Sequence, residues 1–166
     1  MRQLLVFLFL TMFFFAQAQS PEEKLKELGI TLPEVSAPVA NYVKWKRVGN
    51  VLYLSGDGAD VIGKLGQDLT IEEGYEAARQ TAILVIATIK MACDGDLNKV
   101  KQFVKVHGMI NSASDFYDQP KVLNGFSDLI VAVFGEKGKH ARAAVGHNTL
   151  PFNMAVEIEV IIELED

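Results

Sequence analysis

Residues 70–110 read TIEEGYEAARQTAILVIATIKMACDGDLNKVKQFVKVHGMI, and two different periods meet inside them. Thr70 stands three residues ahead of Glu73, the spacing at which a hydroxyl and a carboxylate cap each other's backbone at a helix start. Behind it Ile71, Tyr75, Ala78, Ala82, Ile86 and Ile89 recur at spacings of three and four, an apolar stripe that needs a surface to lie on. The stripe stops near Cys93, and Gly95 in Asp94-Gly95-Asp96 suits a helix exit. Val100, Val104, Val106 and Ile110 then alternate with Lys99, Lys101, Lys105 and His107, the period-two pattern of a strand with one core face.

Outward from this unit, Pro120 opens a second predicted helix, with Val122, Phe126, Leu129, Ile130 and Val133 on its apolar side and Gly135 beyond its end. Ala141–Val145 and Ala155–Glu163 read as strands, the latter with Val156, Ile158, Val160 and Ile162 opposite Glu157, Glu159 and Glu163. Toward the N-terminus, Gly49-Asn50 between Tyr42–Arg47 and Val51–Ser55 marks a hairpin. Gly56, Gly58, Gly63 and Gly66 make the next stretch a loop, with one short strand expected around Val61 and Ile62. Pro33 and Pro38 make Leu32–Ala40 an extended arm, and Pro21-Glu22-Glu23 starts a short helix. The expected fold is α+β, a mixed sheet with two helices on one face and a second face only partly apolar.

The chain has 166 residues, 49% of them hydrophobic, which suits one domain large enough to bury its own core. Its 16 Lys and Arg against 21 Asp and Glu leave a net charge of −5, the wrong sign for binding nucleic acid through its phosphates. Cys93 is the only cysteine, which excludes an intrachain disulfide. Arg2, the apolar run Leu4–Phe15 and Ala16-Gln17-Ala18 have the layout of a secretory signal peptide. We therefore expect residues 1–18 to be removed, residues 19–166 to form the single domain, and an exported protein, periplasmic or secreted. The apolar run falls short of the ~20 residues that span a bilayer, so no stable membrane anchor is expected after cleavage.

Few residues carry legible chemistry by themselves. Arg142 sits among alanines in Ala141-Arg142-Ala143-Ala144-Val145, with room to present its planar fork to a carboxylate; a surface ion pair with a C-terminal glutamate is the commoner explanation of such a residue. Glu157, Glu159 and Glu163 share one strand face, and nothing local chooses among them. His107, His140 and His147 lack metal-ligand spacing, and Asp57, Asp60 and Asp68 lack the closing glutamate of a calcium loop, so no metal is expected. Gly56-Asp57-Gly58 is no dinucleotide fingerprint, and Lys44-Trp45-Lys46-Arg47 is one short basic cluster in an acidic chain.

Several strings taken in order carry more. Leu32-Pro33, Ala37-Pro38-Val39-Ala40-Asn41-Tyr42, Gly49-Asn50-Val51-Leu52-Tyr53-Leu54-Ser55-Gly56 and Glu72-Glu73-Gly74-Tyr75-Glu76-Ala77-Ala78 are followed by Asp115-Phe116 and Gln119-Pro120-Lys121-Val122-Leu123-Asn124-Gly125. His140-Ala141-Arg142-Ala143-Ala144-Val145-Gly146 and Leu150-Pro151, leading into Val156-Glu157-Ile158-Glu159, complete the series. With this spacing over some 120 residues the chain resembles the Rid family, also called YjgF-like or L-PSP endoribonuclease-like, and its longer branch in particular. The resemblance implies a chorismate-mutase-like sandwich assembled as a homotrimer, with small-molecule clefts between subunits. It implies hydrolytic deamination of 2-imino or 2-enamino acids to a 2-oxo acid and ammonia, with water and no cofactor. Residue by residue it matches Arg142 to the arginine that grips the substrate carboxylate and Glu157 to the glutamate that orients or activates the water. Tyr42 matches a tyrosine lining the cleft and Asn124 an asparagine near the carboxylate. The alternative is a trimeric binding module holding a small carboxylate without turnover. Asp57 stands where a glutamine is frequent, and a negative charge close to an arginine pocket is expected to weaken binding of acidic substrates.

Overall fold

The computed structural model describes residues 19–166; the expected signal peptide, residues 1–18, lies outside the described residues. The chain runs α1 (Pro21–Glu27), β1 (Trp45–Val48), β2 (Val51–Asp57), α2 (Ile71–Ala92), β3 (Val100–Asn111), α3 (Gln119–Phe134), β4 (Ala141–His147) and β5 (Val156–Leu164), with three short 3-10 turns between elements. The five strands form one sheet in the order β1-β2-β5-β3-β4, antiparallel except where β4 runs parallel to β3. A parallel neighbour requires a crossover, and α3 supplies it.

The helices form for local reasons. Thr70 Oγ1 accepts from the Glu73 amide while the Glu73 carboxylate accepts from the Thr70 amide, closing two orphan donors at the head of α2. Ser20 and Glu23 repeat the arrangement at α1. At the hairpin Gly49 takes φ +58°, the left-handed conformation a tight reversal needs. One face of the sheet packs under α2 and α3, where Ile86, Ile89, Phe103, Leu123, Phe126, Ile158 and Ile162 are fully buried. Each such side chain contributes about 1.5–3 kcal/mol of transfer free energy. The two helices meet backbone to backbone at Gly125, whose missing Cβ would overlap the carbonyl of Tyr75. That contact fixes the lateral position of α3, and with it Asn124 and Ser127.

Three readings of the sequence need correction. In β3 the core residue is Phe103, 2% exposed, whereas Val104 is 41% exposed. Pairing with β5 shifts register between Val100 and Gln102 and again between Phe103 and Lys105, so two bulges turn the alternation into steps of three. The segment at Val61 and Ile62 forms no strand, only a single bridge from Ile62 to Met154. The first strand begins at Trp45, leaving Tyr42 in the approach to it.

The other face of the sheet carries no helix and is mixed in character. Across it run Tyr53, Ile161 and Lys105, then Glu159, His107 and Ala143, then Glu157, Met109 and Val145.

Candidate active site

Arg142 is paired in register with the buried Val106, so its side chain leaves the sheet on the helix side and reaches α3. There Nη2 donates to Asn124 Oδ1 at 2.8 Å and to the Pro120 carbonyl at 3.5 Å, and Nη1 donates to Ser127 Oγ at 3.0 Å. Pro120, Asn124 and Ser127 follow one another at four and three residues, so they form a single polar edge along α3. All three acceptors are neutral. Among the described residues Arg142 makes no ion pair; Glu163 binds Lys101 and Gln102, and Glu159 faces His107 at 3.4 Å. Among the described residues no C-terminal glutamate pairs with Arg142, and its guanidinium stands exposed at the edge of the sheet.

Glu157 is paired with Met109, which turns it to the open face of the sheet. Its carboxylate lies against the backbone of Gly56, in the space a Cβ would occupy, because pairing of β2 with β5 shifts register between Leu54 and Asp57. Partial burial pushes the carboxyl pKa up, Glu159 and Asp57 push the same way, and His147 opposes them. A carboxylate with a raised pKa is the stronger base, and more of it is protonated and able to serve as an acid as the pH falls toward that value.

The four residues singled out from the sequence thus fall into separate groups. Arg142 and Asn124 are bonded to each other. Glu157 lies on the other face, two strands from Arg142, roughly 10 Å across the sheet. Tyr42 is 44% exposed ahead of β1, and no hydrogen bond among the described residues ties it to either group. Asp57 bonds Lys44 Nζ at 3.1 Å, both side chains largely buried, so much of its charge is met by that ammonium.

Two clefts of about 570 Å³ each open elsewhere, one between the 31–36 arm and α2 over Lys44 and Asp57, the other around Lys64, Tyr117 and His147. Arg142 and Asn124 line neither. Sequence reasoning missed Ser127 and Gly56. The four-and-three spacing of Pro120, Asn124 and Ser127 could have exposed the first; the second depends on strand register.

The family profile described as "YjgF/chorismate_mutase-like, putative endoribonuclease" matches residues 22–164. The chain belongs to the YjgF/chorismate mutase-like family. Protein TCP17 of Trypanosoma cruzi is 44% identical over 149 residues, 86% of this chain and 92% of that protein. The protein Atu1372 of Agrobacterium tumefaciens, of unknown function, superposes with a TM-score of 0.82 at 42% identity, covering 87% of this chain and 92% of that one. A protein of Dermatophagoides farinae named 2-iminobutanoate/2-iminopropanoate deaminase is 28% identical over 137 residues, 82% of this chain and 95% of that protein. The mixed sheet with helices on one face is the YjgF fold, as the resemblance implied.

Proposed function

We propose that this YjgF-family protein hydrolyses the C=N bond of 2-imino acids, including those that 2-enamino acids form on protonation at C3, releasing a 2-oxo acid and ammonia. One observation carries the reading: Arg142 is anchored by three neutral acceptors and has no acidic partner among the described residues, so an incoming carboxylate meets an oriented positive charge whose Nε–H and second Nη1–H are still unbonded. The named deaminase relative supports the same chemistry.

In the proposed reaction Arg142 holds the substrate carboxylate and so fixes the imine carbon. Glu157 accepts a proton from a water as its oxygen bonds to that carbon, giving a carbinolamine. For an imine that enters protonated on nitrogen, Glu157 then gives its proton to the carbinolamine nitrogen, the C–N bond breaks with its electron pair leaving on ammonia, and the hydroxyl proton passes to Glu157 as the C=O bond forms. Because the two residues occupy opposite faces of one sheet, we propose that Glu157, with Tyr42 lining the cleft, acts on a substrate held by Arg142 and Asn124 of a neighbouring subunit in a homotrimer. Only water is consumed, and no cofactor takes part. Export is inferred from residues 1–18 alone, and it requires the imine to arise outside the cytoplasm. Ribonuclease activity is not part of the proposal, since a chain of net charge −5 is poorly suited to phosphate backbones.

A second reading is favoured by the same geometry. The carboxylate anchor is complete in one chain and the acid/base group is not, which would suit a binding module without turnover. The test is hydrolysis of 2-imino acids generated in situ by an amino-acid oxidase, with Arg142→Ala alongside. Acceleration that disappears in the variant supports the enzyme. A folded protein that accelerates none of a panel of side chains, yet retains a carboxylate through Arg142, is the binding module.

A further inference from the structure

Ser127 and His140 belong to neither half of the catalytic pair, yet together they hold the guanidinium of Arg142. The polarity of their contacts can be worked out from what each atom is able to do. A carbonyl only accepts, so His140 Nδ1, 2.7 Å from the Gly138 oxygen, carries a proton. A guanidinium only donates, so Arg142 Nη1 occupies a lone pair of Ser127 Oγ at 3.0 Å. The Ser127 hydroxyl hydrogen is then left to point at His140 Nε2, 3.0 Å away, which is an acceptor in the Nδ1–H tautomer. Arg142 donates to Ser127, Ser127 to His140, and His140 to the Gly138 carbonyl, with no conflict at any link.

The ring cannot easily turn out of this chain. It sits half-buried, 6.4 Å from the Phe103 ring and 6.3 Å from that of Phe126 in an edge-on contact. Burial lowers its pKa, the bond to Gly138 opposes that, and the charge of Arg142 lowers it further, so it stays neutral at pH 7. The opposite tautomer would leave the Gly138 carbonyl without its donor and aim a second N–H at Ser127 Oγ, forcing the hydroxyl hydrogen elsewhere.

We propose that Ser127 and His140 are positioning residues that mount Arg142 in the conformation that receives a carboxylate. This rests on the reading of Arg142 as the carboxylate anchor. A long, rotamer-rich side chain held before binding loses less freedom when the ligand arrives, so the relay acts on affinity rather than on the bond-breaking step. It also differs from direct ligand contact, because His140 reaches the guanidinium only through the serine hydroxyl.

The experiment compares Ser127→Ala, Ser127→Thr, His140→Phe and the double variant Ser127→Ala/His140→Phe with the unsubstituted protein. KM and kcat are read on 2-iminobutanoate, and Kd on 2-oxobutanoate by calorimetry. Ser127→Ala is expected to raise KM and Kd about ten-fold, the loss of one charge-assisted bond, and His140→Phe to raise them by no more than that, the loss of the neutral bond that orients the hydroxyl, with kcat within about two-fold in both. Ser127→Thr is expected to restore most of the affinity, and the double variant to be no worse than Ser127→Ala, because the histidine acts through the serine. Unchanged KM and Kd in Ser127→Ala, or penalties that multiply in the double variant, would overturn the relay. The nitrogen spectrum of His140 tests it without substrate: an Nδ1–H ring upholds it, and an Nε2–H ring overturns it. If the unsubstituted protein neither turns over imine nor binds 2-oxobutanoate, the functional reading has failed by itself. The relay is then decided by that spectrum and by whether rotation of the Arg142 guanidinium quickens in Ser127→Ala.

Discussion

Arg142 and Glu157 project from opposite faces of the same sheet, separated by the breadth of β3. Neither can serve a substrate held by the other within one chain, so the proposed chemistry carries a requirement about assembly. Arg142→Ala and Glu157→Gln are each expected to lose hydrolysis. Subunits of the two variants, unfolded together and reassembled in equal amounts, should recover about a quarter of the wild-type rate, the share of interfaces that join an intact arginine to an intact glutamate. No recovery in mixed trimers would refute a site shared between subunits.

Gly56 offers a way to move Glu157 without unfolding the protein. An added Cβ would occupy the place of the Glu157 carboxylate, the far end of a side chain that can swing aside. Gly56→Ala should therefore lower kcat by about one to two orders of magnitude while leaving the melting temperature nearly unchanged. A fall in stability with kcat intact would show that the glycine serves packing.

At Gly125 the same substitution has the opposite profile. Its Cβ would meet the carbonyl of Tyr75, which cannot move without displacing α2. Gly125→Ala is expected to cost about 1–3 kcal/mol, measured by denaturant unfolding, and to raise KM because Asn124 and Ser127 shift with the helix. Wild-type stability in this variant would contradict the close contact of α2 and α3.

The raised pKa of Glu157 has a stability consequence of definite sign. Folding disfavours its ionised form, so the native state is most stable, as far as this group is concerned, below the ordinary carboxyl pKa. That contribution is lost as pH rises toward the folded value. Glu157→Gln should thus melt higher than wild type at pH 7.5, with a smaller difference at pH 4, while its hydrolysis is abolished. A variant less stable than wild type at the higher pH would mean that the ionised carboxylate is favourably held.

Asp57 is expected to be silent toward acidic substrates, because Lys44 neutralises it locally. Asp57→Asn should change KM for 2-iminobutanoate by less than about two-fold. A clear drop in KM would show that its field reaches the anchor.

Much of the fold could be read along the chain because its causes are short in range. The Thr70–Glu73 cap, the stripe from Ala78 to Ile89 and the Gly49-Asn50 reversal each involve residues close enough in sequence for their spacing to state the geometry. The burial of Phe103 in place of Val104 could not be read this way. It is decided by where β5 pairs with β3, and the bulged register is a property of two strands some sixty positions apart.

The candidate site divides along the same line. Sequence by itself determined which residue types were on hand: a guanidinium in a small-residue strand, a glutamate alternating with core aliphatics, and an asparagine on the edge of an apolar helix. Only the tertiary structure decided their relations. It hung Arg142 on Asn124 and Ser127, laid Glu157 against Gly56, paired Asp57 with Lys44, and set the arginine and the glutamate on opposite faces. The physical reason is that helix caps and periodicity are settled by neighbouring residues. Side-chain hydrogen bonds and close backbone approaches instead depend on the register and packing that the core imposes between distant segments.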